Sequence, residues 1–132
     1  MTIIFGNGIE PSNLATTDGG DINAYAARAA AYLDNFMTQR VFVVLLTSLP
    51  RADNAFCANR NALNAITRTW VGTHCHALVD LAADPDIGPD AAGDDTSKYS
   101  DGTHLTQSTH DKIETLIRPV LDGLYYSWFK RA

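Results

Sequence analysis

The run Val41-Phe42-Val43-Val44-Leu45-Leu46 narrows the fold more than any other stretch. Its six residues are apolar at odd and even positions alike. Successive side chains of a strand point to opposite faces, so a strand here must be covered on both sides. Three valines favour strand over helix, and the run falls far short of the ~20 residues a membrane-spanning helix needs. Two shorter apolar segments accompany it. Thr2–Phe5 is stopped by the turn residues Gly6-Asn7-Gly8, and Ala77–Leu81 precedes an Asp-, Gly- and Pro-rich stretch from Ala82 to Thr103.

The segments between these strands read as helices. Asp21 caps one over 21–38, through Ala24, Arg28, Tyr32 and Met37. Asp53 or Asn54 opens a second over 54–71, where Ala58, Ala62, Ile66 and Trp70 form a stripe and Gly72 marks the end. Thr106 caps a third over 106–118, with Ile113, Leu116, Ile117, Val120, Leu121 and Leu124 facing inward. Pro119 removes a backbone donor and is expected to kink or restart that helix. Alternating strands and helices form βαβ units. The expected architecture is α/β in three layers, a short parallel sheet with flanking helices, in a single domain over residues 1–132.

Composition excludes some partners. Ten Lys and Arg, too scattered to line a phosphate-binding face, stand against fifteen Asp and Glu, for a formal charge of −5. Nucleic-acid binding is therefore not expected. Met1-Thr2-Ile3-Ile4-Phe5 has no basic n-region, so neither a signal peptide nor a membrane segment is expected. If the segment between Cys57 and Cys75 is helical, the sulfurs are held roughly 20 Å apart. Two reduced thiols are the expectation.

The sharpest chemical motif is Tyr99-Ser100-Asp101-Gly102-Thr103-His104-Leu105-Thr106. An Asp three residues before a His, across a Gly turn, brings the carboxylate to the imidazole Nδ1–H. That fixes the tautomer and leaves Nε2 available as a general base. Taken alone, Asp-x-x-His is more often a plain turn before a helix cap.

The order of elements, with Leu49-Pro50 after the central strand and Asp-Gly-Thr-His-Leu-Thr leading into a terminal helix, resembles the C-terminal portion of the SGNH (GDSL-type) hydrolases, a flavodoxin-like architecture. The resemblance runs from about Thr2 to Leu124 and is specific at Asp101 to Thr106. It implies that Asp101 and His104 are two members of a Ser-His-Asp triad acting on esters, such as acetylated carbohydrate or lipid, without a cofactor. Gly6-Asn7-Gly8-Ile9 then stands where the family carries Gly-x-Asn-Asp, which puts Gly6 and Asn7 near an oxyanion hole, with Gly8 at the position of the family's Asn. Gly6-Asn7-Gly8-Ile9 also reads as a degenerate Gly-Asp-Ser-Ile, although its distance from the final block leaves too little chain between. Neither alignment contains the nucleophilic serine.

No other serine replaces it convincingly. Ser48 ends the central strand without a Gly-x-Ser-x-Gly elbow, and Ser12, Ser97 and Ser100 sit in loops. His74-Cys75-His76 lacks further metal ligands at a suitable spacing. Asp84, Asp86, Asp90, Asp94 and Asp95 lack the ligand order of a calcium loop and read as a solvated acidic loop. Tyr125, Tyr126, Trp128 and Phe129 read as a helix end packed on the sheet.

Two functions remain in view. One is an SGNH-like hydrolase whose serine comes from elsewhere. The other is a non-catalytic structural or binding subunit of a larger assembly built on the same fold; an unrelated α/β binding protein is a third reading. The first two expect another protein chain, the same or different, to cover the strand edge at residues 1–5, because the family's nucleophile-bearing strand is missing beside it.

Overall fold

In the computed structural model, residues 2–7, 20–39 and 41–129 are described, with side chains from 20 to 39 and from 41 to 127. Three strands form one parallel sheet in the order β1-β2-β3: β1 (Thr2–Asn7), β2 (Val41–Leu46) and β3 (Ala77–Val79). Thr2 stands opposite Val41 and Asn7 opposite Leu46, while Val44, Leu45 and Leu46 pair with Ala77, Leu78 and Val79. The longest apolar run is thus the middle strand. Three α-helices complete the fold: α1 (Ile22–Met37), α2 (Asn54–Thr67) and α3 (Gln107–Phe129).

Alternation along β2 builds two cores. Val43 and Leu45 pack with Ala26, Ala30 and Leu33 of α1 and with Leu63 of α2. Val44 turns the other way and packs with Val79, Leu81 and the Ile113, Ile117 and Leu121 face of α3. Val43 and Val44 are fully buried. Burial of each such side chain is worth about 1.5–3 kcal/mol, which is why a strand apolar on both faces takes the centre. The layers are therefore α1 and α2, the sheet, and α3.

Several boundaries differ from the sequence reading. β1 extends through Asn7, whereas β3 stops at Val79, and Leu81 opens a 3-10 turn over Leu81–Ala83. Asp21 and Asp53 both cap, each accepting from two backbone amides of the following turn. The Thr106 carbonyl accepts from the Thr109 and His110 amides. Its hydroxyl turns back to the Ser97 carbonyl, 2.8 Å away. α3 neither stops nor restarts at Pro119. Pro119 and Thr115 lie on the exposed side, where water can take up the carbonyl that the ring leaves unpaired.

The buried face of α2 is also a correction. Ala58 is exposed and Ala62 and Ile66 are only half-buried; Phe56, Cys57, Arg60, Leu63, Asn64 and Thr67 point inward. Tyr125 and Tyr126 are exposed rather than packed on the sheet, their rings edge to face with centroids 5.9 Å apart. Cys57 and Cys75 are buried free thiols.

Candidate functional site

The C-terminal end of the sheet is shaped by polar groups that tie its loops together. After β2 the Thr47 amide still donates to the Val79 carbonyl. The Thr47 hydroxyl donates to Asp80 at 3.0 Å and accepts from the Ala82 amide at 2.9 Å. Arg68 grips the other side of Asp80 through Nε and Nη2, at 2.8 and 2.9 Å. Burial works against ionisation of Asp80, but Arg68 and Thr47 outweigh it and hold the carboxyl below its usual range.

From α2, Arg60 reaches across to the long loop. It donates to the Gly88 carbonyl at 3.0 Å and pairs with Asp90, although Arg60 itself is only 2% exposed. Asn61 also donates to Asp90, at 3.0 and 3.2 Å. Gly93 passes so close to the Arg51 carbonyl that a Cβ there would lie 2.5 Å from its oxygen. Long loop and post-β2 loop are thus clamped face to face.

The dyad sits on this clamp. Gly102 has φ +77°, in the left-handed region open to glycine, and its carbonyl accepts from the Ala52 amide at 2.9 Å. Asp101 Oδ1 accepts from the Thr103 and His104 amides at 3.1 and 2.8 Å. Its Oδ2 lies 2.7 Å from His104 Nδ1. The amide and ring of His104, followed by the Thr103 amide, hold the Asp101 carboxyl down at about 2. A carboxylate only accepts, so Nδ1 carries a proton, and in the neutral imidazole Nε2 is then the nitrogen with the free lone pair. Nε2 has no hydrogen-bond partner among the described residues, and the His104 side chain is 77% exposed. The pair is a pre-oriented base open to solvent.

Beside it is a cleft of about 240 Å³. Leu46, Leu49, Pro50, Phe56, Leu81, Leu105 and Ile113 supply its apolar lining, with Ser48, Tyr99, Thr103 and His110 among them. Thr103 and Leu105, the neighbours of His104 in the chain, both belong to this wall. Gly6 and Asn7 end β1 opposite Leu45 and Leu46, one strand away from the cleft on the same rim. Gly8 and Ile9 lie outside the described residues, as does Ser12. Ser48 lines the cleft with its backbone held by Asn64.

The remaining sequence candidates disperse. His74 Nδ1 binds Asp34 at 2.6 Å, while His76 Nδ1 accepts the Val43 amide at 3.0 Å and so extends the sheet. Among the described residues no cluster of three metal-ligating side chains forms. The acidic loop is exposed at Asp86, Asp90 and Asp94, yet several of its carboxylates are paired. Asp90 is spent on Arg60 and Asn61, and Asp84 on the Asp86 and Ile87 amides and on Lys112. Asp95 is spent on Ser97 and Lys98.

Arg60, Asn64 and Tyr99 were missed as site-shaping residues. A signal existed for the first two: Arg60 and Asn64 are four apart and flank Leu63, so they share its buried helical face. Searches against protein-family models, curated proteins and solved structures returned no match. Among the described residues no helix is long and apolar enough to cross a membrane.

Proposed function

We propose that this chain is the Asp–His-bearing part of an SGNH-like ester hydrolase, with the nucleophilic serine supplied from outside these 132 residues. The observation that carries this reading is the 2.7 Å contact between Asp101 Oδ2 and His104 Nδ1, with Nε2 left exposed at the sheet's C-terminal rim. Ligands of open α/β sheets bind at that rim. His104 Nε2 takes the proton as a serine Oγ bonds to the ester carbonyl carbon. It returns the proton to the alkoxide as the C–O bond breaks, and the cycle repeats with water. Asp101 is a positioning residue that holds the ring and stabilises the imidazolium. Gly6 and Asn7 stand near the oxyanion, and a second polypeptide segment along the free edge of β1 brings the serine.

The second reading is a non-catalytic binding or structural subunit. It is favoured by one observation, the lack of a Gly-Asp-Ser block in the sequence. One experiment separates the two. Material isolated from its native source with its associated polypeptides is tested with a small aryl ester and a serine-directed organophosphonate. The hydrolase reading expects turnover, labelling of a serine outside this chain, and loss of both with His104→Ala. Native material inert to both reagents supports the non-catalytic subunit.

A further inference from the structure

A second groove, of about 470 Å³, runs along the flank of α3 and among the described residues is lined by α3 alone. Two rows of side chains at i, i+4 spacing form it. The first is apolar: Ile113, Ile117 and Leu121, continued by Tyr125, which is 49% exposed. Ile113, Ile117 and Leu121 pack on the Val44 core yet stay half-buried, so each keeps apolar surface in water. The second row is exposed and polar: His110, Glu114, Arg118 and Asp122. Within the chain Glu114 and Arg118 also pair with each other. An apolar row bordered by charges on one flank of a helix is the pattern of a packing face.

The order of the polar row points to the occupant. From its N-terminal end it runs base, acid, base, acid, and from its C-terminal end acid, base, acid, base. Laid antiparallel beside its own copy, the row sets Glu114 next to the partner's Arg118 and His110 next to the partner's Asp122. Two-fold symmetry supplies the reciprocal contacts and closes the pair. A parallel copy in the same register sets Glu114 beside the partner's Glu114, which is repulsive. The apolar row fits the same arrangement, because Ile117 is its middle member and lies between Glu114 and Arg118. That centre is close to the middle of Gln107–Phe129, so two such helices overlap along most of their length. Rows of this spacing interdigitate at a crossing of about −50°, the commonest class of helix packing. We infer that the α3 flank is a self-docking face, on which a second copy of this chain lays its own α3 antiparallel. Neither Asp101 nor His104 takes part, so the pairing stands or falls apart from the hydrolase reading.

One helix pair buries less than the ~1,200 Å² of stable interfaces, so a dissociation constant on the order of hundreds of micromolar is expected. The test is sedimentation equilibrium of the whole chain from micromolar to millimolar concentration, with methyl resonances followed over the same range. The wild type should dimerise, with concentration-dependent shifts at Ile113, Ile117 and Leu121. Glu114→Arg and Arg118→Glu should each remain monomeric, because each sets like charges face to face. An equimolar mixture of the two should dimerise again, since each then offers the charges the other lacks. That restoration requires the antiparallel register and does not follow from unspecific apolar association. A wild type that stays monomeric at millimolar concentration would overturn the inference, even where it binds other native polypeptides through this groove. So would shifts that spare Ile117, contacts of Ile117 with residues 8–19 of its own chain, single variants that dimerise as well as wild type, or a mixture that stays monomeric.

Discussion

Asn64 holds both backbone polar groups of Ser48: its Oδ1 accepts from the Ser48 amide at 2.9 Å and its Nδ2 donates to the Ser48 carbonyl at 2.9 Å. A side chain on α2 thereby replaces the sheet partner that the chain loses just after β2 ends. The carbonyl has a further, longer bond from Arg60 at 3.5 Å. The Asn64→Leu substitution removes both of the Asn64 bonds and should cost about 2 kcal/mol. Chemical denaturation checks this. An unchanged midpoint would mean that water reaches Ser48.

Glycine substitutions should split by sign. A Cβ at Gly93 would meet the Arg51 carbonyl carbon at 2.4 Å and its oxygen at 2.5 Å, both backbone atoms that cannot swing aside. Gly93→Ala should destabilise by about 1–3 kcal/mol or more, as overpacking does. Gly123 lies within α3, and a Cβ there meets nothing within 4 Å. Gly123→Ala should stabilise by about 0.5–1 kcal/mol by restricting the unfolded chain. Thermal melts of the two variants test the pair, and shifts in the same direction would contradict the packing described.

These contacts mark where the sequence stops being legible. β2 could be read because its apolar character on both faces permits one place, the middle of a covered sheet. The dyad could be read because Asp101 and His104 are three residues apart and their geometry is set by one local turn around Gly102. The buried face of α2 could not be read from its apolar residues. Arg60 and Asn64 are inward because the Gly88 and Ser48 carbonyls, 28 and 16 residues away in sequence, need donors there. That Asp90, exposed as expected, also pairs with Arg60 is illegible for the same reason, since Arg60 lies 30 residues away. Periodicity sees the helix but not the loop that will lie across it.

Stability should fall in acid, and Asp101 should contribute to the fall. Its carboxyl is depressed in the folded chain from 3.8 to about 2. A depressed carboxyl stabilises the fold fully above its unfolded value, and that contribution disappears as pH falls through the folded value. The window is thus from above 3.8 down to about 2. Asp80, Asp84 and Asp95 are depressed as well and add to the same slope. Asp101→Asn should flatten the curve of melting temperature against pH within this window. A variant curve parallel to wild type throughout would show that the Asp101–His104 contact does not persist in solution.

The free edge of β1 yields the last expectation. β1 pairs with β2 on one side, and among the described residues no strand pairs with its other side. Half of its backbone N–H and C=O groups therefore face outward along a segment whose sequence is Thr-Ile-Ile-Phe. An open apolar edge of this kind is a template for another strand. Under the proposed function the partner that brings the serine docks here, and a specific contact would bury upwards of ~1,000 Å² in total. Ile4→Lys places a charge on that edge and should weaken association. Asp90→Lys is not a fair control, because Asp90 neutralises the buried Arg60. Asp94, exposed on the far loop, is a better one. In sedimentation, the wild-type chain and Asp94→Lys should associate with a second copy or with the native partner, while Ile4→Lys should sediment as a monomer. A wild-type chain that stays monomeric at micromolar concentration with its partner polypeptides present, and whose amides at residues 2–5 exchange freely, would remove the edge from the proposed assembly.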